Sequence, residues 1–226
     1  MLKLTYFNGR GMAETSRLIM VIARQKFEDK RYPIKIIDWA THNMERKEFN
    51  DDQENGLLWK SNKKVPFLNI GEAVISQSKA IERYLARKFS LMGSSEEEAA
   101  LIDSYCEYIR DFKNVYHCAK RKENRDESMD TWFNKTLPEK LKTFNDLITR
   151  NNDFQNLDTG DKEYAVGNKI SLIDIVIFTF LTEFFDNTEA VNKAYLNCDM
   201  LQKIVKNINE NDDVKAWISS RENTVF

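Results

Sequence analysis

The chain has few of the residues that build disulfide frameworks or histidine sites. Its 226 residues include three cysteines, Cys106, Cys118 and Cys198, and no two of them have C-x-x-C spacing. An odd cysteine count in a chain of this size indicates reduced thiols and a cytoplasmic location. His42 and His117 are the only histidines, which disfavours a zinc site or a Ser-His-Asp triad, and we expect no metal.

An excess of charge of one sign and a long apolar run are also missing. The formal net charge is −2, so no basic excess exists to neutralise a nucleic-acid backbone. The most apolar stretch, LIDIVIFTFLTEFF, contains Asp174 and Glu183 and predicts a buried helix rather than a membrane span. The first residues, MLKLTYFNGRG, lack the features of a secretory signal. We therefore expect neither nucleic acid nor a membrane as a partner.

The first part of the chain has the pattern of an α/β unit. Residues 2–8 and 32–38 are compatible with strands, and residues 12–25 between them have a helical pattern. This order predicts a β-α-β unit of the parallel-sheet kind. Residues 40–63 are mostly polar and charged. We expect them to form a long loop with at most a helical turn, which is usually functional or mobile.

A hairpin and a helix complete this unit. VPFLNI and AVISQ read as antiparallel strands joined by Gly71-Glu72, because glycine at the first position of a two-residue turn suits type II′. SKAIERYLARKF follows as an amphipathic helix, for which Ser78 is a candidate N-cap. We predict an α/β domain over residues 1–89.

From Ser94 onward the pattern is helical only. Ser95 with Glu98 and Ser171 with Asp174 have the spacing of capping boxes, which mark helix starts. The expected helices lie at about 95–122, 138–150, 171–185, 196–209 and 213–220. We predict an all-helical domain over residues 95–226, so the fold class is α/β plus all-α.

Three local features have both a structural and a functional interpretation. Tyr6 ends the first strand before a glycine-containing turn, and its hydroxyl is either satisfied in the core or offered to a ligand. Gln77-Ser78 at a helix start caps the helix and could also hold an anion. The Val65-Pro66 bond is trans by default, but a cis bond would turn the Val65 backbone toward a peptide-like ligand.

Two further features are open in the same way. Asp103, Glu107 and Asp111 form one acidic row on a helix, which either faces water or meets a cationic partner. Trp39 follows a strand end, where it either packs or donates its indole N–H to a ligand carboxylate.

Five segments resemble, in their order and spacing, stretches of one enzyme family, and the resemblance covers nearly the whole chain. The segments are KLTYFNGRG-AE--RLI, DW, KVPFL, QSKAIERYLARK and AVGNKISLIDI. The family is that of the cytosolic glutathione S-transferases, and the resemblance is greatest to the tyrosine type of the sigma class. It implies a thioredoxin-like N-terminal domain followed by an all-helical C-terminal domain. It also implies a cytoplasmic homodimer that conjugates glutathione to small hydrophobic electrophiles in detoxification. Glutathione would be a co-substrate, with no further cofactor.

The resemblance also implies roles for individual residues. Tyr6 would be catalytic, donating a hydrogen bond to the glutathione sulfur and favouring its thiolate. Val65 would pair with the cysteinyl backbone, and Gln77 and Ser78 would hold the γ-glutamyl carboxylate at a helix N-terminus.

The remaining implied contacts lie at the two ends of glutathione and at the electrophile. Trp39 and Lys64 match positions at the glycyl end. Asp111 matches an acid that reaches the γ-glutamyl amine in the other subunit, so each site would need the dimer. The residues implied for the electrophile cleft are Phe7, Gly9, Met12, Tyr116 and Phe226.

The sequence departs from the sigma pattern at several positions. Met12 stands where many members have Arg or Lys, and the loop between Trp39 and the proline is longer than usual. Glu107 and Arg110 replace acids that bind a metal ion in some members. Cys118 stands where prostaglandin-isomerising members have tryptophan.

Three other functions are alternatives to conjugation. A carrier would keep the glutathione site but bind bulky hydrophobic ligands such as haem. A prostaglandin isomerase would act on one particular lipid. A glutaredoxin-like protein would need a cysteine near the first strand–helix turn, where Tyr6 stands.

Overall fold

The computed structural model describes residues 1–38, 43–154, 163–222 and 224. The chain forms two compact units, one of Met1–Leu85 with Ala216–Phe226 and one of Ala86–Lys215. Compact units and independently folding domains need not coincide, so the domain limits 1–89 and 95–226 stay a prediction.

The first unit contains a four-stranded mixed sheet. From the N-terminus the elements are β1 (Leu2–Phe7), α1 (Glu14–Ile22), β2 (Phe27–Tyr32), β3 (Lys35–Asp38), β4 (Asn43–Glu45), α2 (Lys47–Glu54), β5 (Phe67–Ile70), β6 (Ala73–Ser76) and α3 (Ser78–Lys88). The strand order is β2-β1-β5-β6. β1 is parallel to β2 and antiparallel to β5, and β5 and β6 form the predicted hairpin. This is a thioredoxin-like arrangement, as expected from the sequence.

The strand predicted at 32–38 is present over Lys35–Asp38. Its place in the β-α-β unit is wrong, because the strand that pairs with β1 is β2, over Phe27–Tyr32. The β2 sequence FEDKRY is so charged that it shows no apolar alternation. Its charges are neutralised by partners elsewhere: Lys3 pairs with Glu28 at 2.6 Å and Arg17 with Asp29 at 3.1 Å. Lys35–Asp38 instead forms β3, which pairs with β4 in a separate small sheet.

The long loop predicted at 40–63 is also corrected in its described part. β4 and the eight-residue helix α2 occupy much of it. A small core explains why: the buried Phe49 of α2 packs with Leu58 and with Tyr32 at the end of β2. One aromatic side chain thus anchors a helix whose other residues are polar.

The second unit is all-helical. Its elements are α4 (Glu96–Lys120), α5 (Arg125–Thr131), α6 (Leu137–Phe154), α7 (Leu172–Thr182), α8 (Thr188–Ala194), α9 (Asp199–Glu210) and the start of α10 (Asp212–Ser220). A short π-helical turn, Trp132–Thr136, joins α5 to α6. α5 and α8 have only seven residues each, too few to show the helical periodicity that a sequence pattern needs.

α7 forms the centre of this unit. Every residue from Leu172 to Leu181 is buried, which confirms the predicted buried helix. Its capping box is also confirmed: the Asp174 carboxylate accepts hydrogen bonds from the Ser171 backbone N–H and hydroxyl at 2.8 and 2.7 Å. Across the described residues, we find no helix with the length and apolar character to cross a membrane.

Candidate active site

Three segments that the sequence singles out lie at one edge of the four-stranded sheet, where β1 and β6 end and β5 begins. The register places side by side, on β1, β5 and β6, the residues Thr5, Phe67 and Ser76. Their neighbours along the chain at that edge are Tyr6, Pro66 and Gln77. Because neighbouring strands lie about 4.8 Å apart, the three segments sit within about 10 Å of one another across the sheet.

Tyr6 presents a protonated phenol at this edge. Its Oη accepts a hydrogen bond from the backbone N–H of Met12, with an N···O distance of 3.3 Å. Burial raises the pKa of Tyr6 above its ordinary value, and the Met12 hydrogen bond and the Arg17 charge offset only part of that rise. The phenol therefore keeps its proton at neutral pH and can donate its own O–H to a ligand.

The turn after β1 brings backbone unusually close to the phenol. Gly11 has φ +36°, and a Cβ added there would lie 2.7 Å from the Tyr6 Oη. Only glycine fits without moving the tyrosine, because the backbone conformation and the space both exclude a larger side chain. The position of the Tyr6 hydroxyl thus depends on this glycine.

Arg17 binds the backbone of the same turn and was not identified as a site residue from the sequence. It is 0% exposed, and its Nη1 donates to the Gly9 carbonyl at 2.6 Å. Its partners on the other side are the carboxylates of Glu14 and Asp29, both at 3.1 Å. The available signal was an arginine at the start of the apolar run RLIMVIA, where a buried cation requires fixed partners.

The Val65-Pro66 peptide bond is cis, whereas sequence alone favours trans. Val65 lies just before β5 and lines a cavity of ≈ 380 Å³. Among the described residues, neither its backbone N–H nor its C=O has a hydrogen-bond partner. Both groups are therefore available to an extended peptide-like ligand.

The helix start after β6 differs by one residue from the prediction. The Gln77 carbonyl accepts hydrogen bonds from the N–H groups of Ala80 and Ile81, both at 3.0 Å. Gln77 is therefore the N-cap, and Ser78 is the first residue of α3. Gln77 has φ +73°, an uncommon conformation for a residue with a side chain.

Comparison with known proteins identifies the family to which this site belongs. One family model, described as Glutathione S-transferase, N-terminal domain, matches residues 2–87, and another, Glutathione S-transferase, C-terminal domain, matches residues 110–221. The chain belongs to the glutathione S-transferase family. It is therefore an enzyme of the transferase class, and glutathione is the ligand that its family binds.

Individual relatives agree with this assignment. The transferase is 30% identical over 228 residues to Glutathione S-transferase 3 of Caenorhabditis elegans, covering 99% of this chain and 98% of the relative. It is also 30% identical over 228 residues to Hematopoietic prostaglandin D synthase of Homo sapiens, covering 98% and 97%. The crystal structure of the glutathione S-transferase from Ascaris lumbricoides shares the fold, with a TM-score of 0.76 at 24% identity over 100% of both chains.

The cavity beside Val65 is positively charged in the transferase. Its lining residues are Phe7, Arg46, Phe49, Gln53, Asn62, Lys63, Lys64 and Val65. Lys64 was predicted from the sequence, but Arg46 and Lys63 were not. The Arg46 guanidinium lies 5.7 Å from the Phe7 ring centre and 5.5 Å from that of Phe49. No sequence motif marks Arg46. It lies between β4 and α2, and its position at the cavity depends on how these two elements fold.

The residues implied for the electrophile cleft have different environments. Phe7 packs edge-on against Phe49 at 5.0 Å and lines the cationic cavity. The Gly9 carbonyl is occupied by Arg17. Met12 is 61% exposed, whereas Tyr116 is 5% exposed. In its own unit Tyr116 packs edge-on at 5.0 Å against Phe185, which is a core environment.

The remaining predicted residues fall into two groups. Trp39 and Phe226 lie outside the described residues. On α4, Asp103 pairs with Arg87 at 3.5 Å and Glu107 with Arg110 at 2.5 Å. Asp111 is exposed and has no ion-pair partner among the described residues.

Proposed function

We propose that the transferase is of the tyrosine type and sigma-like, and that it conjugates reduced glutathione to small hydrophobic electrophiles. Tyr6 donates a hydrogen bond to the glutathione sulfur and stabilises the thiolate, which then attacks the electrophilic carbon. The observation that supports this role is the protonated Tyr6 phenol, which accepts from Met12 at the sheet edge and can donate its O–H outward.

The strength of one such hydrogen bond suits the task. A free thiol has a pKa of about 8.5 and is mostly protonated at neutral pH. Lowering that pKa by ~2 units requires ~2.7 kcal/mol of preference for the thiolate. A hydrogen bond to a charged acceptor supplies about 1.5–3 kcal/mol. The phenol can therefore account for most of the activation without a metal or a further cofactor.

Backbone groups hold the tripeptide around this hydroxyl. Val65 pairs its N–H and C=O with the cysteinyl residue of glutathione. Gln77 and Ser78 hold the γ-glutamyl carboxylate at the N-terminus of α3, where helix N–H groups favour an anion. Lys64, together with Trp39, meets the glycyl end, and Asp111 of the other subunit in a cytoplasmic homodimer meets the γ-glutamyl amine.

The Tyr6→Phe variant tests this proposal. With an aryl halide as electrophile near neutral pH, we expect kcat to fall about 10- to 100-fold, because the loss is one charged hydrogen bond. Glutathione affinity, measured by calorimetry, should change less than about threefold, since the backbone contacts remain. Tyr195→Phe, which removes a phenol in the helical unit, is the matched control.

Unchanged turnover in Tyr6→Phe, or a wild-type chain that does not bind glutathione, would contradict the proposal. Tight haem binding by a wild-type chain with no conjugation above the uncatalysed rate would favour the carrier instead.

The 30% identity to a protein named prostaglandin D synthase favours one second candidate, prostaglandin isomerisation. Both reactions would use the Tyr6-activated thiolate, so the Tyr6→Phe variant cannot separate them. Direct assay with a prostaglandin endoperoxide does so, and absence of the isomerised product from an active conjugating enzyme would exclude this candidate.

A further inference from the structure

Residues from the far end of the chain reach the helix that follows the Tyr6 turn. Trp217 Nε1 donates to Glu14 Oε1 at 2.9 Å, and Arg221 forms an ion pair with the same oxygen. Trp217 and Glu14 are 203 positions apart in the sequence. We refer to Ala216–Glu222 as the C-terminal segment.

Glu14 is connected to the turn after β1 through Arg17. Its other carboxylate oxygen accepts from Arg17 Nη1 at 3.1 Å, and the same nitrogen donates to the carbonyls of Gly9 at 2.6 Å and Arg10 at 3.4 Å. Glu14 is 1% exposed and Arg17 0%. A buried path of charged hydrogen bonds therefore runs from the C-terminal segment to the backbone between Tyr6 and Met12.

A second contact joins the same two regions. Asn8 Nδ2 donates to Glu222 Oε2 at 2.7 Å, and Asn8 Oδ1 accepts from Arg31 at 3.3 Å. Arg31 in turn pairs with Asp29 at 2.8 Å. Asn8 begins the turn, so the C-terminal segment contacts the turn directly as well as through Glu14.

Glu14 is charged in this network. Its burial acts to raise its pKa, but the Trp217 hydrogen bond and the charges of Arg17 and Arg221 outweigh that effect and hold the pKa below its ordinary value. A buried carboxylate that loses some of its partners draws more strongly on those that remain. Without Trp217 and Arg221, Glu14 would compete with the Gly9 carbonyl for Arg17.

We propose that Trp217 and Arg221 are positioning residues for Tyr6: through Glu14 and Arg17 they fix the turn that sets the direction of the phenolic hydroxyl. The inference rests on the proposed role of Tyr6 in thiolate formation. Its consequence is that the pKa of bound glutathione depends on side chains that touch neither glutathione nor Tyr6.

The test compares the double variant Trp217→Phe/Arg221→Met with wild type and with Lys215→Met, which removes an exposed cation from the same helix. Two quantities are followed against pH: the ultraviolet absorbance of enzyme-bound thiolate, and kcat/KM with an aryl halide. Tyr6→Phe is measured alongside, and Trp217→Phe/Arg221→Lys, which restores the cation, is the rescue variant.

We expect the bound thiol pKa of the double variant to rise by about one unit, which lowers the thiolate population, and kcat/KM, about tenfold at pH values well below that pKa. Above the shifted pKa the two enzymes should converge to within about twofold, because the thiol is then ionised in both. Glutathione affinity should be kept, Lys215→Met should match wild type, and the lysine variant should recover part of the shift.

Two results would overturn this inference and leave the proposed function standing. In the first, the pH profile of the double variant coincides with that of wild type while that of Tyr6→Phe is shifted. In the second, the double variant loses the same fraction of kcat/KM at every pH, which indicates fewer folded molecules. If Tyr6→Phe itself leaves the bound thiol pKa unchanged, the proposed function fails and the inference with it. If the double variant does not fold, Trp217→Phe alone decides between the same outcomes with a smaller shift, since phenylalanine keeps an aromatic ring beside Phe27, which packs against Trp217.

Discussion

The smallest feature on which the proposed chemistry depends is the contact between Tyr6 and Gly11. The phenolic oxygen occupies the space that a side chain at residue 11 would need. This makes Gly11 a residue that acts on the reaction only through the tyrosine. It also explains why a glycine stands in the turn, beyond the requirements of chain reversal.

Gly11→Ala tests this dependence. The added methyl must push the Tyr6 hydroxyl away, and we expect kcat near neutral pH to fall about tenfold, approaching the loss in Tyr6→Phe. Adding Gly11→Ala to Tyr6→Phe should then cost little more, because both changes remove the same hydrogen bond.

The matched control is Gly71→Ala. Gly71 also has positive φ, at +58°, but nothing lies within 4 Å of its added Cβ. Equal losses of turnover in the two alanine variants would mean that backbone strain, and not the contact with Tyr6, is responsible.

At the scale of elements, a buried carboxylate caps the start of α7. Asp174 is fully buried and accepts hydrogen bonds from Ser171 and from the Ala165 N–H, the latter at 2.7 Å. Burial nevertheless dominates and raises the pKa of its carboxyl to about 6, against 3.8 for an ordinary aspartate. The contribution of this helix start to the free energy of unfolding therefore depends on pH.

The sign of that linkage can be measured. Because the folded-state pKa lies above the unfolded value, the folded chain binds the extra proton between pH 4 and pH 6. Stability from this group is thus greatest below pH 4 and is lost as pH rises through about 6. The free energy of unfolding of wild type, relative to Asp174→Asn, should be about 2 kcal/mol larger at pH 4 than at pH 7.

Urea denaturation at the two pH values, with Asp126→Asn as an exposed control, provides the measurement. A difference between wild type and Asp174→Asn that does not change with pH, or that grows toward pH 7, would show that the hydrogen bonds and not burial control this carboxyl.

At the scale of the whole molecule, the proposed function requires a site that is shared between two copies of the chain. Asp111 is exposed and has no ion-pair partner among the described residues, whereas the other two acids of its row are paired within their own chain. Asp111 is therefore available to a cationic group from outside the chain, as the proposal requires.

A mixed dimer of one Asp111→Ala chain and one Tyr6→Phe chain tests the sharing. If Asp111 serves the site of the other subunit, the site of the Asp111→Ala chain has both its own Tyr6 and the partner's acid and is fully native. The mixed dimer should then show about half of wild-type kcat per dimer and, at that site, wild-type glutathione affinity.

If Asp111 serves its own chain, the mixed dimer has no native site, and its glutathione affinity at the active site is reduced. Each homodimer is the control, and differently tagged chains allow the mixed species to be isolated. A monomeric wild-type protein with full activity would also contradict the sharing.

Local spacing in the sequence was sufficient for several parts of the protein. Tyr6 before its glycine turn, the hairpin around Gly71-Glu72, the buried helix α7 and its Ser171-Asp174 cap are each encoded within a few neighbouring residues. An α/β unit followed from the order of such elements, and the resemblance to the glutathione S-transferases implied its thioredoxin-like arrangement. These features need no information about what lies elsewhere in the fold, because hydrogen bonds and side-chain periodicity within one element decide them.

The tertiary structure alone decided the rest. β2 is a strand because its backbone pairs with β1 and its acidic side chains form ion pairs with Lys3 and Arg17. The helix α2 is held in place because Phe49 packs against Tyr32. The link from Trp217 to Glu14 joins residues 203 positions apart. Periodicity reports which face of an element is apolar, but it does not report which buried charge will meet which, since that pairing exists only after distant segments have come together.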